Sequence, residues 1–262
     1  MRFEVLTIFP EMVEHAFKTG VTGRASGEGI IELETVNIRD YSTNSYGSID
    51  GYTYGGGAGM LMQCEPVYRA YLEAMRRLGM PCADDVESLT GETIDAELEA
   101  YDTAGSKSVR VVYMTPVGEV FTQAKAEELS KERELIFLCG HYEGIDERVI
   151  DEIVTDRISI GDYVLTGGEL SALVVMDAIA RLIPGVLKND ESAETESFNT
   201  GGLLEYPQYT RPDEWHGSKV PDILLSGDHA KVDNYRMHEM RRVTKEIRPD
   251  LYQKYMEDRG IF

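Results

Sequence analysis

Apolar and polar positions follow two periods along the chain. "MRFEVLTIF" (1–9) and "IIELETVNI" (30–38) alternate every second residue, as strands with one covered face do. "VRVVYM" (109–114) and "LIFLCG" (135–140) are apolar almost throughout, which predicts central parallel strands covered on both faces. Helical spacing appears in "EPVYRAYLEAMRRLG" (65–79), where Val67, Tyr68, Tyr71, Leu72, Met75 and Leu78 share one face and Gly79 supplies the stop. "TQAKAEELSKERE" (122–134) is a polar helix former between the two apolar strands. "ELSALVVMDAIARLIPG" (169–185) reads as a further helix ended by Pro184 and Gly185. Strands alternating with helices imply an α/β fold with a parallel sheet and right-handed crossovers.

Beyond that stop, "VLKNDESAETESFNTGG" (186–202) is polar and turn-rich, as a linker is. The expected organisation is a sheet domain over 1–187, a linker over 188–195 and a small, mostly helical domain over 196–262. In the last part Lys231, Arg236, Arg241, Arg242, Lys245 and Arg248 outnumber Asp233, Glu239 and Glu246, giving a locally basic surface. Residues 82–107 carry eight acids against the single base Lys107, the composition of a solvated acidic insertion.

The formal net charge of −21 repels a polyanion at long range, so it counts against nucleic acid unless local patches override it. No apolar run approaches the roughly 20 residues of a membrane-spanning helix, and no membrane partner is expected. The first residues have acids inside their apolar stretch and lack the layout of a secretion signal. Cys64, Cys82 and Cys139 are odd in number and widely spaced, which fits neither a disulfide framework nor a zinc site and points to a reducing cytoplasm.

Three glycine-bearing segments carry the candidate chemistry: "YGGGAGM" (54–60), "CGHYEGIDERV" (139–149) and "IGDYVLTGGEL" (160–170). None has the spacing of a phosphate loop or a dinucleotide turn. Two of them follow apolar strands, where open α/β sheets place their ligands. The segments contain no lysine, and Glu143, Asp146, Asp162 and Glu169 oppose an anion. Backbone amides and carbonyls walled by Tyr113, Tyr142, Ile160, Tyr163 and Leu165 suit a neutral or cationic heterocycle, and a sulfonium is tolerated.

"FPEM", "GVTGRA", "YGGGAGMLM", "CGHYEGIDERV", "IGDYVLTGGEL", "IPGVL", "YPQYTRP" and "LLSGDHA" occur in this order over nearly the whole chain. In that order they resemble the bacterial tRNA (guanine-37-N1)-methyltransferase family. The resemblance implies a SPOUT methyltransferase domain whose parallel sheet holds a deep trefoil knot, a homodimer, tRNA as partner and S-adenosylmethionine as methyl donor. It also brings in magnesium as an accessory ion; Asp50, Glu143, Asp162 and Asp177 are conceivable neighbours, though none has metal-site spacing. By position, the family's donor contacts fall on Tyr113, Met114, Thr115, Pro116, Gly140, Tyr142, Glu143, Ser159, Ile160, Gly161, Tyr163, Leu165, Gly167 and Gly168.

Methylating a ring nitrogen of guanine needs a base to take its proton and a group that orients the acceptor. The family's arginine falls on Arg181, contributed by the dimer partner, and its aspartate base falls on Glu196, one methylene longer. Glu194 is the alternative acid by register. Positions implied to meet RNA are Arg24, Asp50, His141, Gln208, Tyr209 and Arg211. Here the chain departs from the family around 44–47, at Gly51 (an aspartate in the family), at Gln208 (a histidine) and at Asp228 (an asparagine). Three functions therefore stand open at this point: the tRNA methyltransferase itself, a paralogue methylating a small molecule or another RNA, and a non-catalytic dimer that binds cofactor or RNA.

Overall fold

The computed structural model describes residues 1–80, 109–188, 197–198 and 201–261. The acidic segment 82–107, Cys82, Glu194, Glu196 and all of the expected linker except Lys188 lie outside the described residues. The chain divides into two compact units, Met1–Leu187 and Lys188–Phe262.

The first unit is built on five parallel strands: β1 (Arg2–Thr7), β2 (Glu32–Asn37), β5 (Arg110–Val120), β6 (Glu134–Cys139) and β7 (Asp156–Ser159), in the order β2-β1-β6-β5-β7. A short antiparallel hairpin, β3 (Asp50–Tyr52) with β4 (Met60–Met62), stands apart from the sheet. Alternation along each strand sends side chains to opposite faces. Phe3, Val5, Leu135, Phe137 and Cys139 enter one core with the helices Pro10–Phe17 and Glu169–Ala180. Leu6, Ile136 and Leu138 enter the other with the helices Cys64–Arg77 and Glu147–Ile153.

This layering corrects three readings of the pattern. β1 lies inside the sheet with both faces covered, so it is buried throughout from Phe3 to Thr7 rather than half-buried, and Glu4 is 0% exposed. Burial raises the pKa of Glu4 above the usual carboxylate range, against the opposing pull of Arg2. The helix Cys64–Arg77 buries Val67, Ala70, Ala74 and Met75, with Tyr68, Tyr71 and Leu78 only partly covered and Leu72 in neither core. Its backbone approaches the sheet through small residues, which a count of large apolar positions passes over. Gly79 does close it, at φ +68°, with its N–H bonded to the Arg76 carbonyl.

β5 also runs past its apolar stretch to Val120. Its register against β7 jumps between Met114 and Glu119, both of which face Ile158. The intervening turn brings Gly118 onto the β7 backbone: a Cβ there would collide with Arg157 and with the Ile158 nitrogen.

In the second unit the helices Asp222–Leu225, His229–Ile247 and Pro249–Glu257 follow a two-stranded ribbon, β8 (Glu214–Trp215) with β9 (Ser218–Lys219). The ribbon was not legible as alternation, because its strands are two residues long and its turn rests on positive φ at His216 and Gly217. Leu203, Met240 and Tyr255 form this unit's buried core.

Candidate active site

At the carboxyl ends of β6 and β7, beside the middle of β5, lies a cavity of about 410 Å³. All fourteen residues expected at the donor site line it, from Tyr113 to Pro116, from Gly140 to Glu143 and from Ser159 to Gly168. His141, expected on the RNA side, lines it as well. The segment 54–60 does not. It closes the β3–β4 hairpin, which pairs with the outside of the loop after β6: Glu143 N–H bonds the Met60 carbonyl and Met62 N–H bonds the Gly144 carbonyl, both at 3.0 Å. The third wall is instead the stretch 115–117, which bulges from β5 before the chain returns to β7.

Close backbone approach explains the glycines. A Cβ on Gly168 would sit 2.7 Å from the Cys139 Cα, and the Gly168 N–H donates to the Gly140 carbonyl at 3.1 Å. A Cβ on Gly161 would press on the Tyr163 ring at 2.8 Å, from a backbone at φ +141°. Tyr142 itself adopts φ +60°, a conformation rare for a bulky residue, and its hydroxyl meets Arg39 at 3.4 Å.

Electrostatically the walls are mixed. Burial raises the pKa of the Tyr113 hydroxyl, which keeps it a neutral phenol, and burial pushes the Cys139 thiol well above its ordinary value. Arg157 is held by Glu147 at 2.7 Å and Asp151 at 2.9 Å. Behind the wall, Glu169 accepts from Thr7 Oγ1 at 2.5 Å and from His141 Nε2 at 2.7 Å. Glu169 is therefore not a free charge facing a ligand. Among the described residues no group of three or more His, Cys, Asp or Glu side chains could hold a metal ion.

The match to known proteins is close. Residues 1–86 and 82–254 fit the family described as tRNA (guanine-1)-methyltransferase TrmD. A protein of Lachnospira eligens is 48% identical over 98% of this chain and 97% of its own length. Relatives from Lachnoclostridium phytofermentans and Clostridioides difficile are each 47% identical, over 97% and 98% of this chain and 92% and 100% of their own. All three are named tRNA (guanine-N(1)-)-methyltransferase. The chain belongs to the tRNA (guanine-1)-methyltransferase family.

Within this family member, the remaining expected positions are scattered. Arg181 caps the helix Glu169–Ala180 at its carboxyl end. Arg24, half-buried on the helix Gly20–Gly27, donates to the Val186 carbonyl, and Asp50 opens β3 and accepts from Ser48 Oγ at 3.2 Å. Gln208, Tyr209 and Arg211 are exposed in the second unit, with Gln208 bonded to Glu205. Asp228 caps the helix His229–Ile247 by accepting from Lys231 N–H at 3.2 Å. Hydrogen bonds from Lys231 hold its pKa low, so its added negative charge is spent on the helix start.

The pattern passed over Val117, Ile145, Glu147, Arg157, Thr166 and Ser171, which also line the cavity. Period-two alternation back from Ser159 reaches Arg157, and Ser171 stands one helical turn beyond Gly168, so both were within reach of the spacing.

Proposed function

We propose that this chain uses S-adenosylmethionine to methylate N1 of guanosine 37 in tRNA. The observation that carries the reading is the cavity itself: all fourteen positions matched to the donor site converge on one space in a member of this family. Its residues fit that donor. Gly140, Gly161 and Gly168 line the cavity and present their backbone to it, while a Cβ at each would press on Tyr113, on Tyr163 and on Cys139. Tyr113, Ile160 and Leu165 supply apolar walls, and Glu143 at the lining suits a positive charge, Glu147 being paired with Arg157. The bound donor supplies an electrophilic methyl group on sulfur.

Glu196 takes the N1 proton as general base, and Arg181 of a second copy orients the acceptor. A homodimer is supported by the helix Glu169–Ala180, which is apolar on its outer side as well: Leu170 and Val174 are 50% and 51% exposed. The stripe through 170, 174, 177 and 181 carries Arg181 along the same face toward a partner copy. The knot of the SPOUT class is supported by the jump in register between β5 and β7, where Gly118 packs on the β7 backbone.

The experiment is methyl transfer from S-adenosylmethionine to a tRNA transcript with guanosines at 36 and 37. 1-Methylguanosine should form at 37, and Glu196→Gln should abolish turnover while leaving donor affinity nearly unchanged. Transfer to nucleotides or metabolites but not to tRNA would overturn the reading of the acceptor, and unchanged turnover in the variant would remove Glu196 from the base role.

A further inference from the structure

We propose that Glu169 is a positioning residue for the donor cavity, holding its two loop walls at a fixed spacing through His141 and Thr7. The proposal rests on the reading of that cavity as a methyl-donor site. Glu169 opens the helix that follows the 160–168 loop and is 2% exposed. Its Oε1 accepts from Thr7 Oγ1 at 2.5 Å, and Nε2 of His141 reaches both carboxylate oxygens, at 2.9 and 2.7 Å. With the carboxylate as acceptor, Nε2 is the protonated ring nitrogen. Thr7 in turn accepts the Phe9 N–H at 2.9 Å, and the Phe9 ring meets the His141 ring edge-on at 5.0 Å.

One carboxylate thus ties the end of β1, the loop after β6 and the turn after β7. Space is reserved for it: a Cβ on Gly167 would collide with the His141 ring and stand 2.7 Å from Glu169 Oε2. Simply starting this helix does not require a buried carboxylate, since desolvating one is costly unless its neighbours are placed to use it. His141 lines the cavity and Gly167 and Gly168 lie just before Glu169, so releasing the carboxylate lets both walls drift. A ligand held by backbone contacts on both sides senses that drift directly.

The test measures S-adenosylmethionine affinity by calorimetry and tRNA affinity separately, in wild type, Glu169→Gln, Thr7→Val and Thr7→Ser. Glu169→Gln and Thr7→Val should weaken donor binding about ten- to a hundredfold. In Thr7→Val, which leaves the pair of Glu169 with His141 in place, tRNA affinity should stay within about twofold, and Thr7→Ser, which keeps the hydroxyl, should bind the donor like wild type. If Glu169→Gln does not fold, the Thr7 pair decides alone. Unchanged donor affinity in Thr7→Val, no rescue by Thr7→Ser, or a parallel loss of tRNA binding in Thr7→Val overturns the proposal while leaving the donor site in place. A wild-type protein that does not bind S-adenosylmethionine overturns the functional reading and the proposal with it.

Discussion

The two units use side chains in opposite ways. In Met1–Leu187 the site geometry is set by backbone: Gly118 lies on β7, and Gly168 lies on Cys139, where any side chain would meet main-chain atoms. Two large cores on either side of the sheet hold those approaches in place. In Lys188–Phe262 the geometry is set by long side chains around a core of Leu203, Met240 and Tyr255. There Arg259 lies 4.5 Å over the Tyr255 ring, Arg236 lies 5.0 Å over Tyr206, and Lys245 lies 5.8 Å over Tyr252. The basic surplus read from sequence is also partly spent internally, with Arg242 on Glu239 and Glu246, Arg248 on Asp250 and Lys231 on Asp228. A backbone site fails sharply when a methyl group is added, whereas a side-chain surface loses strength by degrees.

Gly118→Ala should give the largest effect. The added methyl meets the Arg157 carbonyl group and the Ile158 nitrogen, which cannot turn aside as a flexible side chain would. The cost should exceed about 3 kcal/mol, read by denaturant unfolding, with loss of donor binding. Gly27→Ala, where a Cβ meets nothing within 4 Å, is the matched control. It should leave stability unchanged or raise it by up to about 1 kcal/mol. Equal effects at the two positions would erase the contrast between a packed and an open glycine.

Tyr255→Ala comes next and probes the second unit. The ring is buried, stacks on Tyr252 at 6.3 Å and carries Arg241 and Arg259 on its faces. Its truncation should cost about 3 kcal/mol or more. A core this small loses cooperative melting at that cost, while S-adenosylmethionine affinity, measured by calorimetry, should hold. A matching fall in donor affinity would show that the units do not divide the work in this way.

How much of this was legible follows from the same contrast. β6 and the loop after it could be read because a buried parallel strand leaves an unbroken apolar run and the chain must then turn through Gly140. The extension of β5 could not, since Pro116 and Gly118 look like the end of a strand and pairing resumes only beyond them, at Glu119 with Ile158 and Val120 with Ser159. The segment 54–60 misled because its glycines serve a hairpin: a Cβ on Gly59 would run into the Glu143 side chain from outside the cavity. The Thr7, His141 and Glu169 cluster spans 162 residues of sequence between its ends, and no local period reports a contact of that separation.

The smallest expected effect concerns a buried charge that serves no loop. Glu4 accepts from Arg2 at 2.7 Å through one oxygen, while its second oxygen is buried without a partner. Burial raises its folded-state pKa, so the folded chain holds the proton more tightly than the unfolded one. The sign follows: stability is greatest below the unfolded value of about 4.3 and falls as pH rises toward the raised folded value. Glu4→Gln removes that slope. Arg2 keeps a second carboxylate, Glu34 at 3.2 Å, so the variant does not strand a cation. At neutral pH its stability should lie within about 1 kcal/mol of wild type or above it, and its unfolding free energy should vary less between pH 4 and 7. A loss of more than about 2 kcal/mol at neutral pH with an unaltered slope would mean that the Arg2 pair outweighs the burial of Glu4.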